Sequence, residues 1–209
     1  MSEIVDLVGG TLSIRPSILY YGTPVALLST MNEDGSVNLA PMSSSWALGY
    51  RVVLGLGKGG QTFINLERSR ECVINLPSPE MWKHVEALAD LTGRQDMPPW
   101  KVEMGYRFER DKFQAAGLTP IASETVAPPR VHECPLQLEA RVARIHGGGE
   151  SGDEFAIVET EVLRVHAKRA IVKGNGRHVD PGKWSPLLYV FRHYFGTGKE
   201  LGKTFPAET

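Results

Sequence analysis

The turn that leads into the helix predicted to begin at Gly60 combines a lysine, glycines and a threonine in a spacing that suits an anion. Lys58 and Thr62 are four positions apart, and glycines stand at positions 57, 59 and 60. A helix that begins here would present unpaired N–H groups and a partial positive charge. Lys58 would add a full charge, Thr62 a hydroxyl donor, and the glycines a close approach to the backbone. The pattern predicts a phosphate site, although a glycine-rich turn with a solvated lysine is also consistent with it.

A second segment, from Ser43 to Trp46, has side chains that suit a flat polar ring. Ser43, Ser44 and Ser45 follow a predicted strand, and their hydroxyls can both donate and accept hydrogen bonds. Trp46 offers a face on which a planar ring can pack. The alternative interpretation is a polar loop whose tryptophan is tucked into the core, because tryptophan is usually well buried.

The glycine-rich stretch must be compared with two known nucleotide-binding motifs. Residues 55–60 read GLGKGG and match G-x-G-x-x-G, but Asn75-Leu76-Pro77 ends the next strand where a ribose-binding carboxylate belongs. The flanking elements also read as hairpins, so a Rossmann site is a minor alternative. A Walker A loop is excluded, because Gly59 follows Lys58 where serine or threonine is required.

The histidines and cysteines add no second site. None of the six histidines stands in a nucleophilic motif or at metal-ligand spacing, so we predict no catalytic side chain and no metal. Cys72 and Cys134 both lie among apolar residues and are predicted to be buried thiols in a reducing compartment.

The bulk composition is that of an ordinary globular domain. The chain has 209 residues, 42% of them hydrophobic, and a net charge of −1, which predicts one domain over residues 1–209. The basic residues are scattered, so we expect no nucleic-acid partner. No signal peptide or long apolar run is visible, so we expect a cytoplasmic protein with no membrane partner.

Short strands between glycines and prolines must position these residues. The predicted strands are 25–30, 36–42, 51–57, 71–76, 136–145 and 155–166, and the predicted helices are 60–68, 79–91 and 112–116. Asn32–Gly35 is predicted to turn between the first two strands, and Gly147–Gly152 between the last two. The continuous apolar residues of 51–57 predict a strand covered on both faces.

Two segments are predicted to lie outside these elements. Residues 92–111 read as an irregular loop, of the length that serves as a lid or contact segment. An aromatic tail spans 184–209, and from Arg192 onward it belongs to no obvious core element. Six or more strands with few helices predict an all-β-dominated barrel.

The order and spacing of five segments resembles the flavin reductase-like, FMN-binding split-barrel family, and its flavoredoxin branch in particular. The segments are TPVALLSTMNEDGSVNLAPMSSSW, GKGGQTFINLERSRECVINLPS, DKFQAAGLTP, ECPLQLEARV and VDPGKWSPLLYVFRHYFGTGKELGKTF, which together cover nearly the whole chain. The resemblance implies a Greek-key split β-barrel with short accessory helices. It also implies a homodimer with FMN near the interface.

The resemblance further implies which residues bind FMN. The segment Met42, Ser43, Ser44, Ser45 and Trp46 would line the isoalloxazine and phosphate side, and Lys58 and Thr62 would bind the phosphate. Lys112 would be a further flavin-site residue. Tyr194 and Phe195 of the tail would approach the flavin, from the same or the partner subunit.

The function implied by this resemblance is that of an FMN-binding oxidoreductase of the flavin reductase type. NADH or NADPH would be the transient hydride donor, and a small molecule or a protein would accept the electrons. An enzyme whose cofactor supplies the chemistry needs no acid–base dyad. The main alternative is a non-enzymatic FMN electron carrier or a partner subunit of another redox enzyme. A barrel that binds haem or nucleic acid is the remaining alternative.

Overall fold

Short strands dominate the chain and four short α-helices accompany them in the part that the structure describes. The computed structural model describes residues 6–7, 10–147, 154–174 and 176–202. The strands are β1 (Asp6–Leu7), β2 (Thr11–Leu12), β3 (Tyr21–Pro24), β4 (Ala26–Met31), β5 (Val37–Met42), β6 (Ser45–Leu48), β7 (Arg51–Gly57), β8 (Glu71–Leu76), β9 (Leu91–Thr92), β10 (Arg107–Phe108), β11 (Pro120–Ile121), β12 (Arg130–Val131), β13 (Leu136–His146), β14 (Phe155–Ala167), β15 (Leu188–Val190) and β16 (His193–Phe195). The helices are α1 (Gln61–Ser69), α2 (Trp82–Glu86), α3 (Pro99–Glu103) and α4 (Lys112–Ala115).

A seven-stranded antiparallel sheet forms the frame. Its strand order is β5-β4-β8-β13-β14-β7-β6, so the long β13–β14 hairpin lies between strands from the first half of the chain. The sheet curls into a half-barrel, which confirms the predicted all-β-dominated split barrel with short accessory helices.

Two hydrophobic cores lie on opposite faces of β4, because successive side chains of a strand alternate. Ala26 and Leu28 belong to the core inside the curled sheet. Val25 and Leu27 belong to a second core, which α2, α4 and the tail cover through Val85, Phe113 and Leu187 among others. The apolar run of residues 25–30 is therefore continuous because both of its faces are buried.

Strand β7 does not fit the prediction that both of its faces are covered. Val52, Leu54 and Leu56 are buried in the inner core, whereas Val53 and Gly55 on the other face are only partly covered. The difference arises because the second core, which covers the other face of β4, includes no residue of β7. One face of β7 therefore stays available for a further contact.

The predicted hairpins are present. Between β4 and β5, the Asn32 N–H donates to the Ser36 carbonyl at 2.8 Å, and Gly35 takes a φ of +78°, which glycine adopts readily. Between β13 and β14, residues 148–152 of the predicted Gly147–Gly152 turn lie outside the described residues.

Helix α1 agrees with its prediction, whereas the helix predicted for 79–91 is wrong in length. After a 3₁₀ turn at Pro79–Met81, only Trp82–Glu86 is α-helical. The chain then continues in tighter turns, with the Ala89 N–H donating to the Glu86 carbonyl and the Leu91 N–H to the Leu88 carbonyl. These turns allow both Leu88 and Leu91 to enter the second core.

Two segments are more ordered than predicted. Within 92–111, which was expected to be irregular, β9 and β10 pair in parallel and α3 lies between them. The tail contributes β15 and β16 to a three-stranded sheet with β3, and Leu187 is buried in the second core. The expectation that the chain from Arg192 onward joins no core element is wrong for β16, which pairs with β15 and whose Tyr194 packs against the second core; residues 203–209 lie outside the described residues.

Cys72 and Cys134 are both buried and free, as the sequence predicts. Burial raises the pKa of the Cys72 thiol to about 12, and the charge of Glu71 adds to this effect. Among the described helices, none has the length and apolar character needed to cross a bilayer.

Candidate functional site

Helix α1 begins at an open turn that no side chain caps. Its N-cap is Gly60, in an extended conformation, and the first turn of the helix contains no acidic residue. Two backbone hydrogen bonds stabilise the turn. The Lys58 N–H donates to the Glu154 carbonyl at 2.9 Å, and the Gly60 N–H donates to the Gly57 carbonyl at 3.1 Å. A Cβ added at Gly59 would meet no atom within 4 Å. The positive end of this helix is therefore accessible to an anion.

Arg94 is a second cation at this turn, and sequence analysis did not single it out. One of its guanidinium nitrogens, Nη1, donates to the Gly59 carbonyl at 3.3 Å. Its acidic neighbour, Asp96, is fully exposed and 3.7 Å away, so that ion pair is well screened. Arg94 lies in the segment that was read as an irregular loop, and only the folded chain brings it to Gly59.

Lys101 and Lys112 extend this positive cluster. The Lys101 ammonium lies over the rings of Trp100 and Tyr106, and burial together with Arg94 lowers its pKa. Burial and the charge of Lys101 lower the pKa of Lys112 to about 8, against an opposing effect of Glu109. Cations that depress one another's pKa are stabilised when an anion binds among them.

Lys112 and Thr62 meet in a buried polar network. The Lys112 Nζ donates to Asn38 Oδ1 at 3.1 Å, and Asn38 Nδ2 donates to Thr62 Oγ1 at 3.0 Å. Asn65 of α1 donates to Thr30 at 3.0 Å and to Asn32 at 2.8 Å. The network ties the first turn of α1 to β4, β5 and α4. The contributing residues are far apart in sequence, so their contacts could not be predicted from spacing.

The segment Ser43–Trp46 is attached to the same strand that leads into the α1 turn. Ser45 and Trp46 pair with Leu54 and Val53, and the Ser44 carbonyl accepts the Gly55 N–H at 2.7 Å. Gly55 and Lys58 are three residues apart, which on extended backbone is about 10 Å. The two constellations that the sequence singled out are therefore neighbours.

The environments of Met42 and Trp46 differ. Met42 is half-buried and packs against the inner core. Trp46 lies on β6 with 60% of its surface exposed, so the alternative of a tryptophan tucked into the core is wrong. Its strand continues to Leu48 and turns back at Gly49, whose φ is +56°. Trp46 is free to contact a ligand or another chain.

Tyr20 links the serine segment to the tail, and this contact was not predicted. Its hydroxyl lies 2.9 Å from Ser44 Oγ, and its ring packs edge-on against Tyr189 with centroids 5.5 Å apart. Tyr189 contacts Tyr194 at 5.7 Å between centroids, and Tyr194 contacts Trp82 at 6.3 Å. A row of aromatic rings thus runs from Ser44 to α2.

Tyr194 and Phe195 lie at the far end of this row and not beside Lys58 or Thr62. They line an aromatic cleft of about 330 Å³ together with Pro79, Trp82, Leu187 and Gly196. The Tyr194 hydroxyl donates to Glu86 at 3.0 Å, and burial and this carboxylate raise the pKa of Tyr194. Among the described residues of one chain, the tail therefore reaches the serine segment through Tyr20.

A polar cleft borders the other side of the buried network. It has a volume of about 280 Å³, and its lining includes Asn38, Gln61, Gly93 and Phe108. A Cβ added at Gly93 would stand 2.4 Å from Asn38 Oδ1, so only glycine fits here without a shift. The cleft gives solvent access to the vicinity of the α1 turn.

Comparison with known proteins identifies the family. The model of the flavin reductase like domain matches residues 18–198, which include every candidate residue described above. The chain belongs to the flavin reductase-like family. The family resemblance predicted from the sequence is thereby confirmed.

The relatives of this flavin reductase-like chain agree with its fold. The uncharacterized protein YdfE of Bacillus subtilis (strain 168) is 52% identical over 196 residues, which cover 94% of either protein. The flavoredoxin of Desulfovibrio vulgaris (Miyazaki F) has a TM-score of 0.74 at 21% identity and covers 98% of this chain and 99% of its own. The flavoredoxin from Methanosarcina acetivorans has a TM-score of 0.76 at 18% identity, over 94% of this chain and 96% of its own.

Membership in this family supports a flavin cofactor and an oxidoreductase-like role. The structure groups eight of the ten predicted residues around β7 and α1: Met42, Ser43, Ser44, Ser45, Trp46, Lys58, Thr62 and, through Asn38, Lys112. Tyr194 and Phe195 lie in the separate aromatic cleft. Arg94, Asn38 and Tyr20 join the set from the structure.

Proposed function

We propose that this chain binds FMN and passes electrons from NADH or NADPH to an acceptor, as an oxidoreductase of the flavin reductase type. The observation that carries the proposal is the uncapped start of α1, where Lys58 and Arg94 flank an open glycine turn next to the serine segment. A dianionic phosphate at this turn would meet backbone N–H donors and positive charge together.

The residues present fit the cofactor. The phosphate would be held by Lys58, Arg94 and the Thr62 hydroxyl. The first turn of α1 contains no acidic residue that would repel it. The backbone from Lys58 back to Gly55, which is hydrogen-bonded to Ser44, spans at most about 10 Å, and a ribityl chain can reach across that length. Ser43, Ser44 and Ser45 would then hydrogen-bond the polar edge of the isoalloxazine, and Trp46 would pack against it.

When bound, FMN supplies the hydride chemistry. The chain itself has only to bind, orient and shield the reacting ring, which agrees with a site built from serines, a lysine and an arginine rather than an acid–base pair. A nicotinamide donor would dock over the exposed ring face next to Trp46. A reductase that takes electrons from NADH or NADPH must be in the compartment where these donors are found. We therefore include a cytoplasmic location in the proposal.

Titrating the protein with FMN and with riboflavin, followed by flavin fluorescence, tests the phosphate site. We expect FMN to bind at least tenfold more tightly than riboflavin, since only FMN has the phosphate. Lys58→Ala should weaken FMN binding by about 1–3 kcal/mol, the usual loss for a hydrogen bond to a charged group, and leave riboflavin unaffected. Lys83→Ala is the matched control, because Lys83 lies on α2 over Trp82. Equal affinities for the two flavins would refute the site.

A non-enzymatic FMN carrier is the second candidate, and the likeness to two flavoredoxins favours it. Both candidates need the same flavin site, so binding does not separate them. NAD(P)H added to the flavin-loaded protein without air does separate them. Bleaching of the flavin supports the reductase, and an unchanged spectrum supports the carrier.

We also propose that the chain is a homodimer whose subunits meet on the outer face of β6, β7 and β14. Trp46, Leu48, Phe155 and Ile157 share this face by strand register and are all exposed. A contiguous apolar face beside the serine segment is typical of a protein contact. Sedimentation should show a dimer, and Ile157→Glu should give a monomer, whereas Leu201→Glu at a fully exposed position should not.

A further inference from the structure

The buried contact of Lys112 fixes the orientation of a neighbouring amide. Lys112 is only 3% exposed, and an ammonium group can donate hydrogen bonds but cannot accept them. The atom 3.1 Å from its Nζ must therefore be the oxygen of Asn38, Oδ1. The other end of the amide, Nδ2, then faces Thr62 Oγ1 at 3.0 Å and can only donate to it.

This orientation leaves the hydrogen of the Thr62 hydroxyl free. Oγ1 accepts from Asn38, and among the residues that the structure describes nothing accepts the hydrogen of Oγ1 itself. Thr62 is the second residue of α1 and lies at its uncapped end. If the amide were reversed, its oxygen would take this hydrogen, and two donors would face each other at Lys112.

Packing holds the amide in this plane, so the alternative left to it is a reversal of its oxygen and nitrogen, which the charged Lys112 opposes. Gly93 lies so close that even a Cβ there would approach Asn38 Cγ to 3.2 Å. Asn38 Nδ2 also reaches Thr30 Oγ1 at 3.4 Å, and that oxygen is already an acceptor for Asn65. Both neighbours of Nδ2 are therefore hydroxyl oxygens that accept from it.

We propose that Lys112 is a positioning residue for a flavin phosphate, and that it acts through Asn38 to make the Thr62 hydroxyl a hydrogen-bond donor to that phosphate. This inference rests on the proposed FMN site at the start of α1. It differs from a direct contact between Lys112 and the flavin, because the Lys112 ammonium is buried against Asn38 rather than open to the turn.

The arrangement makes phosphate binding sensitive to pH. The charged groups that influence Lys112 are Lys101 and Glu109, and neither β5 nor the first turn of α1 adds an ionisable side chain. Burial first, and Lys101 second, lower the pKa of Lys112 to about 8. Above that pH the neutral amine can also accept a hydrogen bond, so the amide is free to reverse. FMN affinity should therefore fall between pH 7 and pH 9, and riboflavin affinity should not.

A double-mutant cycle on flavin affinity tests the inference. Thr62→Val removes the hydroxyl, and Lys112→Met removes the ammonium while keeping a long side chain. Each change should weaken FMN binding about tenfold and leave riboflavin binding unchanged. Because Lys112 acts through Thr62, adding Lys112→Met to Thr62→Val should weaken FMN binding no further. Thermal unfolding of each variant checks that it is folded.

Each outcome decides a different point. Additive losses of about tenfold each, giving about a hundredfold together, would overturn the indirect role and favour direct contact of Lys112 with the phosphate. A Lys112→Met variant that binds FMN like the parent would also overturn the inference. If that variant does not fold, the unaltered protein decides, since FMN affinity that is flat from pH 7 to pH 9 overturns it. Parent protein that does not distinguish FMN from riboflavin would instead contradict the proposed function.

Discussion

Glu139→Gln should destabilise the fold by a pH-dependent amount that can be worked from its hydrogen bonds. The Glu139 side chain is wholly buried on β13. Its carboxylate accepts the N–H groups of Glu124 at 2.8 Å and Thr125 at 2.6 Å, the Thr125 hydroxyl at 2.5 Å, and His166 Nε2 at 2.7 Å. Arg130 adds a positive charge at 3.6 Å. One carboxylate therefore holds the loop between β11 and β12 against the sheet.

The magnitude follows from the pKa of this group. Burial alone would raise the pKa of Glu139, but the hydrogen bonds from Thr125 and Glu124 outweigh burial and lower it from 4.5 to about 2. A lowered pKa stabilises the folded state fully above pH 4.5, and this stabilisation is lost as the pH falls toward 2. The shift corresponds to about 3 kcal/mol at pH 7 and about 1.4 kcal/mol at pH 3.

Urea unfolding of the parent and of Glu139→Gln at pH 7, 5, 4 and 3 measures this difference. Glutamine resembles the protonated acid, so the gap in unfolding free energy should shrink from about 3 kcal/mol to about half of that by pH 3. Glu67 is exposed on α1, so the control variant Glu67→Gln should have the same unfolding free energy as the parent at each pH. A gap that stays constant with pH, or one below 1 kcal/mol at pH 7, would refute the assignment of the charge to Glu139.

Three further changes follow from the structure. Arg94→Ala should weaken FMN binding about tenfold with little change in stability, as measured by fluorescence titration and thermal unfolding, and unchanged affinity would remove Arg94 from the site. Gly93→Ala should lower the unfolding free energy by about 1–3 kcal/mol, because its Cβ would lie 2.4 Å from Asn38 Oδ1, and an unaltered melting temperature would contradict this contact. Arg192→Gly should stabilise the chain by about 1 kcal/mol, since Arg192 has a φ of +74°, and a lower melting temperature would contradict this interpretation of strain in the β15–β16 turn.

Local sequence signals predicted those parts of the fold that local interactions determine. The Asn32–Gly35 turn and helix α1 are set by residues within a few positions of one another, and both agree with the structure. The same holds for the open glycine turn around Lys58. The continuous apolar residues of 51–57 led to the wrong prediction that both faces of this strand are covered. A sequence pattern shows which side chains are apolar, but not whether another layer of the fold covers them.

Long-range pairing accounts for what the sequence did not predict. Tyr189 in the tail pairs with Thr23 near the start of the chain, and no local pattern signals a contact across that separation. Lys112 meets Asn38 across 74 positions, and Arg94 meets Gly59 across 35. The sequence therefore predicted the segments of the candidate site, whereas the contacts between them, which set hydrogen-bond direction and charge, required the fold.

The visible absorption spectrum of the purified protein, followed by anaerobic addition of NADH or NADPH, measures whether the chain binds a flavin and reduces it. We expect a two-banded flavin spectrum, which appears on addition of FMN if the protein is isolated without it, and which bleaches when the donor is added. A protein that is colourless and takes up no FMN would contradict the proposed flavin site and with it the function.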